Sequence, residues 1–192
     1  MPRNEINDPE VTLLADIASD LEGQYRDDYA MWHGSPFQWI KTRPSRQVGA
    51  IGEKLVRHWC VAKNFEVARS PDSQADLVIE GARVEVKYSS LWTDNSIYKF
   101  QQIRDQDYDY CFCLGISPFA ADAWFIPKAH LMTDRPPELV PQHGGRSGRD
   151  TKWLSFSAAN PPDWLARFGG SLSHVYELIS SLESTPRRFT LD

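Results

Sequence analysis

The sequence predicts an α/β domain. Three observations lead there: apolar residues at helical spacing near both ends, short middle segments with alternating apolar residues, and a nearly continuous apolar run from Tyr108 to Ile116. Alternation marks strands with one covered face, and an unbroken run of that length marks a central strand covered on both. The 192 residues suit a single domain spanning 1–192 and are ample for one hydrophobic core.

The elements follow in order. Asp8-Pro9 is a good helix start, and Leu13, Leu14, Ile17 and Leu21 continue it at helical spacing as an N-terminal extension. The stretch from Gln24 to Arg46 carries Trp32, Phe37 and Trp39 without a clear period and stays unassigned. A second helix opens near Ser45 and runs to about Lys63, with Val48, Ile51, Leu55 and Trp59 as its buried stripe. Short strands are expected over Phe65–Arg69, Asp76–Ile79 and Ala82–Lys87. A polar stretch from Ser89 to Ser96 leads to a short helix around Ile97–Arg104. After the buried strand, Ala123–Ile126 forms another, stopped by Pro127. Arg135–Asp150, rich in glycine and proline, reads as a long loop. Ser171 caps a C-terminal helical extension with Leu172, Val175, Leu178, Ile179 and Leu182 on one face.

Composition narrows the function classes. A formal charge of −5 weighs against a purely electrostatic nucleic-acid binder. It leaves room for a carboxylate cluster that takes a divalent cation, because the cation reverses the local field. No apolar run is long enough to cross a membrane. The start, MPRNEINDPE, has no apolar signal core, so a cytoplasmic protein is expected. The three cysteines, Cys60, Cys111 and Cys113, are expected as buried free thiols.

The chemistry concentrates in SPDSQADLVIEGARVEVKYSS, residues 70–90. Two strand-like segments flank Glu80-Gly81, and a two-residue hairpin turn centred there pairs Ile79 with Ala82, Val78 with Arg83, Leu77 with Val84, and Asp76 with Glu85. Asp76, Val78, Arg83, Glu85 and Lys87 then share one face, and Leu77, Ile79, Val84 and Val86 the core face. Directly opposed residues have Cβ atoms about 4.5–5.5 Å apart. Two carboxylates that close repel unless something positive lies between them. Mg²⁺ takes oxygen ligands and keeps several waters. It makes an attacking water more acidic and stabilises charge on a phosphate oxygen. Lys87, on the same side, is placed to orient that water or to stabilise transition-state charge.

Asp76 followed by Glu85-Val86-Lys87 resembles the signature of the PD-(D/E)XK nuclease superfamily, which includes type II restriction endonucleases and junction resolvases. The resemblance spans about Gln47 to Ser117. It implies a restriction-endonuclease-like core, a mixed β-sheet flanked by helices, with the core motif region at about 47–126. It also implies a Mg²⁺-dependent DNA endonuclease, with Mn²⁺ as a substitute, acting on double-stranded DNA. A type II restriction endonuclease working as a homodimer is the first reading. A structure-specific nuclease and a non-catalytic DNA-binding module are the alternatives. One departure is that the Pro-Asp dipeptide is Pro71-Asp72, while Ala75 precedes Asp76. Asp76 is preferred because it falls opposite Glu85.

The same resemblance assigns Glu53, on the preceding helix, to the metal site beside Asp76 and Glu85. It places Gln102 or Gln101 near the site from the helix after the Glu85 strand, with Arg104 as a phosphate contact. Gly49 and Gly52 would allow close approach of helix to sheet or phosphate. Further DNA contacts are expected from Lys41, Arg43 and Arg46 in KTRPSR, and from His143, Arg146 and Arg149 in HGGRSGR.

Overall fold

The computed structural model describes residues 8–92, 96–134, 136–141 and 151–183. Helix α1, Pro9–Ala30, starts where Asp8 Oδ1 accepts the Glu10 amide at 2.9 Å. A short helix, α2 (Gln38–Lys41), and a long one, α3 (Ser45–Ala62), fill what the sequence left unassigned and what it expected as the second helix. Trp32 and Ile40 are fully buried between α1 and α3 in sequence.

The strands are β1 (Val67–Arg69), β2 (Leu77–Ile79), β3 (Ala82–Ser90), β4 (Ile97–Ile103), β5 (Tyr110–Ile116), β6 (Ala121–Pro127), β7 (Leu139–Pro141) and β8 (Lys152–Ser157). Helix α4, Leu172–Glu183, follows, with the Ser171 hydroxyl accepting the His174 amide at 3.1 Å. Five strands form a mixed sheet in the order β1-β2-β3-β5-β6, in which only the β3–β5 pair is parallel. A second, antiparallel sheet runs β4-β8-β7. The architecture is α/β, a mixed sheet flanked by helices.

The β2–β3 hairpin has the expected register: Ile79 pairs with Ala82, Val78 with Arg83, and Leu77 with Val84. Glu80 and Gly81 both take positive φ, 48° and 72°, as a type I′ turn requires. On one face of the large sheet, Trp59 of α3 packs edge-on to Phe112 of β5, and Leu172 of α4 lies nearby. Against the other face lies the second sheet, where Tyr98, Phe100 and Phe156 surround Trp124. One contiguous core joins both layers.

Three expectations change. Residues 97–103 are a strand, not a helix. Its apolar residues alternate at Tyr98 and Phe100, and then a bulge with Gln102 at φ 58° adds one residue and turns Ile103 inward again. The buried line of α3 is Gly52, Val56 and Cys60, while Val48, Ile51, Leu55 and Trp59 are half-buried. The loop from Arg135 contains β7, and residues 142–150 lie outside the described ones. Leu13, Leu14, Ile17 and Leu21 form a helix as expected, and all four are exposed, Leu14 at 66 %. All three cysteines are buried and unbridged. Among the described residues, no helix is long and apolar enough to cross a membrane.

Candidate active site

Strand β3 carries the central pair. Glu85 and Lys87 pair with Cys111 and Cys113 of β5 and point to the face that the second sheet covers. That cover explains why Glu85 is only 7 % exposed, whereas a hairpin read alone would leave its face to solvent. Lys87 Nζ meets Glu85 Oε1 at 2.6 Å. Burial raises the Glu85 pKa, Asp76 adds to this, and Lys87 only partly offsets it. For Lys87, burial alone would lower the pKa, but the Glu85 carboxylate prevails and raises it, so the ammonium stays charged.

Asp76 stands just before β2. Its amide donates to the Val84 carbonyl at 3.1 Å, and its Oδ2 accepts the Val86 amide at 2.8 Å. The side chain therefore takes the first N–H of β3 past the β2 ladder and is fixed beside Glu85. Asp72 is engaged elsewhere. Its Oδ1 meets Arg83 Nη2 at 2.8 Å and accepts the Gln74 amide at 2.9 Å, and the bond from Arg83 lowers its pKa. Arg83 shares the β3 face of Glu85 but is tied to Asp72 and to the Asp107 carbonyl.

Glu53 reaches the site from α3 because Gly52 lets the helix touch the sheet. A Cβ at Gly52 would lie 2.4 Å from Tyr88 Cβ. Gly49, by contrast, meets nothing within 4 Å, so it opens space and makes no close helix–sheet contact. Burial, then the charges of Asp76 and Glu85, raise the Glu53 pKa. Asp76 thus disfavours charge on both glutamates, and Glu85 disfavours it on Glu53. Among the described residues, no group of three His, Cys, Asp or Glu side chains is arranged to hold a metal ion by itself. Two carboxylates, with water and a phosphate oxygen, are a donor set that suits Mg²⁺.

These groups border a cleft of about 1070 Å³. Glu53, Asp76 and Lys87 line it, and Glu85 lies beneath, held by Lys87. Lys41, Arg43 and Arg46 line the same cleft from the α2–α3 segment. Gln101 and Gln102 line it as well, from strand β4. Arg104 does not line it, although its charge acts on Glu85. His143, Arg146 and Arg149 lie outside the described residues. Sequence reasoning missed Trp92 and Lys99. Lys99 Nζ sits 4.4 Å from the Trp92 ring centroid and 4.5 Å from that of Trp153. The alternation of Lys99 with Tyr98 and Phe100 was the signal for it. Counting Lys87 and Lys99, five cationic side chains line the cleft against two carboxylates, on a chain of net charge −5.

No family model matches the chain, and no curated protein matches it. Among solved structures, a bacterial homing endonuclease, I-Ssp6803I, is similar at 14 % identity and a TM-score of 0.49, covering 74 % of this chain and 96 % of that one.

Proposed function

We propose that the chain is a Mg²⁺-dependent endonuclease that hydrolyses phosphodiester bonds in double-stranded DNA. The observation that carries this reading is the convergence of Glu53, Asp76 and Lys87, with Glu85 below, on one cationic cleft. Asp76 and Glu85 would hold the cation, with Glu53 assisting through water. When bound, Mg²⁺ supplies Lewis-acid stabilisation of charge on phosphate and an acidified water. Lys87, kept protonated by Glu85, donates a hydrogen bond to the attacking water or a phosphate oxygen. Lys41, Arg43 and Arg46 neutralise the flanking phosphates and fix the strand.

A restriction endonuclease is the first form of this proposal. A second, a structure-specific nuclease, is favoured by Trp92. It is 43 % exposed at the cleft and offers a ring on which an unstacked base can rest. The test is cleavage of random-sequence duplex and of branched DNA with Mg²⁺. Discrete duplex fragments support the first form, and cutting only at the branch supports the second. Asp76→Ala, Glu85→Ala and Lys87→Ala each abolish cutting in a folded protein, while Asp72→Ala retains most of it. Wild-type turnover in any of the first three overturns the assignment.

A further inference from the structure

Lys99 is held on both sides by rings. Its side chain alternates with the buried Tyr98 and Phe100, so it leaves the core and faces the cleft. Its amide donates to the buried Ser89 hydroxyl at 2.9 Å, which ties β4 to the end of β3. Lys99 pairs with Ser155 of β8, so Trp153, two residues along that strand, shares its face as a diagonal neighbour. Trp92 lies on the other edge of β4, bridged to Ile97. The ammonium therefore sits between two indoles, 4.4 Å from one ring centroid and 4.5 Å from the other.

Two features of this arrangement ask for a ligand. The first is charge. A lysine drawn partly out of water is ordinarily paired with a carboxylate, and among the described residues none forms an ion pair with Lys99. Ring faces attract an ammonium without neutralising it, so its charge remains for an anion in the cleft. The second is Trp92, a large ring left 43 % exposed on the cleft wall. A base inside a duplex already has neighbours on both faces, so it can stack on an indole only after leaving the helix. The two features are adjacent, as base and phosphate are within one nucleotide.

We propose that Trp92 and Lys99 form a subsite for one unpaired nucleotide, with its base stacked on the indole and its phosphate on the ammonium. This rests on the reading of the cleft as a DNA site and names what that site selects: a strand with one base outside the helix, in preference to a fully paired one. Lys41, Arg43 and Arg46 line the cleft from the α2–α3 segment and act on phosphates of either kind of strand. Discrimination falls to the β4 side, where the ring is.

The experiment titrates the full chain, with Ca²⁺ in place of Mg²⁺ so that DNA is held and not cut, into two labelled duplexes of one sequence. One is fully paired, and the other carries a single unpaired nucleotide at its centre. The wild type is expected to bind the second about tenfold more tightly, the scale of one base stacked on an aromatic ring. Trp92→Ala binds both alike, with unchanged circular dichroism, and Trp92→Phe, which keeps a ring, retains most of the preference. Lys99→Met, which keeps the contact with the indoles and drops the charge, lowers the salt slope on the unpaired duplex by about 1. Equal wild-type affinity for the two duplexes overturns the inference, as does a Trp92→Ala protein that keeps the preference or a Lys99→Met protein with an unchanged slope. In each of those cases DNA is still bound, and the reading of the cleft stands. Failure to bind either duplex overturns that reading, and the inference with it.

Discussion

Gly52→Ala adds one methyl group where α3 meets β3. The new Cβ would lie 2.4 Å from Tyr88 Cβ. Carbon atoms in ordinary contact sit ~3.5 Å or more apart, so helix and strand must part by about 1 Å. Neither atom can rotate away, since both are fixed to backbone. Overpacking of this kind costs about 1–3 kcal/mol. Alanine in place of glycine inside a helix returns about 1 kcal/mol. The net loss is therefore about 0–2 kcal/mol, roughly 2–4 °C of Tm per kcal/mol for a chain of this size. The effect on chemistry is larger. Glu53 is the next residue and moves with the helix, and a displacement of ~1 Å costs on the order of 10²-fold in rate. Urea denaturation and single-turnover cleavage, run on the same preparation, separate the two. Gly49→Ala is the stability control: it lies on the same helix with nothing within 4 Å, and is expected to gain about 1 kcal/mol. Wild-type cleavage by Gly52→Ala would refute the idea that this contact sets the position of Glu53. Equal destabilisation by Gly49→Ala would refute the contact itself.

Other outcomes follow from the site. The pKa values of Glu53 and Glu85 are raised above the ordinary 4.5, mainly by burial, so the stability they contribute is full below that value and is lost as pH rises through the raised values. A cation held by ionised carboxylates offsets that loss, so the gain in Tm with Mg²⁺ or Ca²⁺ is large in mildly alkaline buffer and fades in acid. Only Mg²⁺ and Mn²⁺ support cleavage; equal gains at both pH values, or full activity in excess chelator, would remove the metal. Lys87→Met leaves the Glu85 carboxylate buried without its partner and costs about 3–5 kcal/mol at neutral pH. The loss shrinks in acid as Glu85 takes a proton, and a pH-independent loss in denaturation curves would refute the pairing. Lys41→Ala, Arg43→Ala and Arg46→Ala weaken DNA binding alike for all sequences, and each lowers the salt slope by about 1. Unchanged slopes in binding titrations would take these residues out of the interface.

The hairpin was legible because its signals are local. Leu77, Ile79, Val84 and Val86 alternate, and Glu80-Gly81 is a turn pair, so the register and the shared face of Asp76, Glu85 and Lys87 follow from the string alone. The burial of Glu85 was not legible. It depends on a second sheet whose strand β8 lies more than sixty residues further on, and β8 itself was missed. Strand β4 was misread for a specific reason. The bulge at Gln102 spaces Phe100 and Ile103 three apart, which imitates a helical turn. The stripe of α3 was set one residue off because Gly52 has no side chain to mark the face that touches Tyr88. In α1 the periodicity gave the helix correctly, but periodicity does not say whether its apolar face is covered.

The place of β3 has a consequence for how the molecule opens. Its first residues are bonded to β2 and its last seven to β5, so Val84, at the overlap, is bonded on both sides. Amide protons there exchange with solvent only when most of the sheet comes apart. The amides of α1, whose described side chains are exposed, and those at the cleft rim on α2 exchange through small local openings. Deuterium uptake should therefore divide the cleft in two. Its rim samples many arrangements around an incoming strand within the lifetime of one native molecule, while its floor holds a single arrangement until the molecule unfolds.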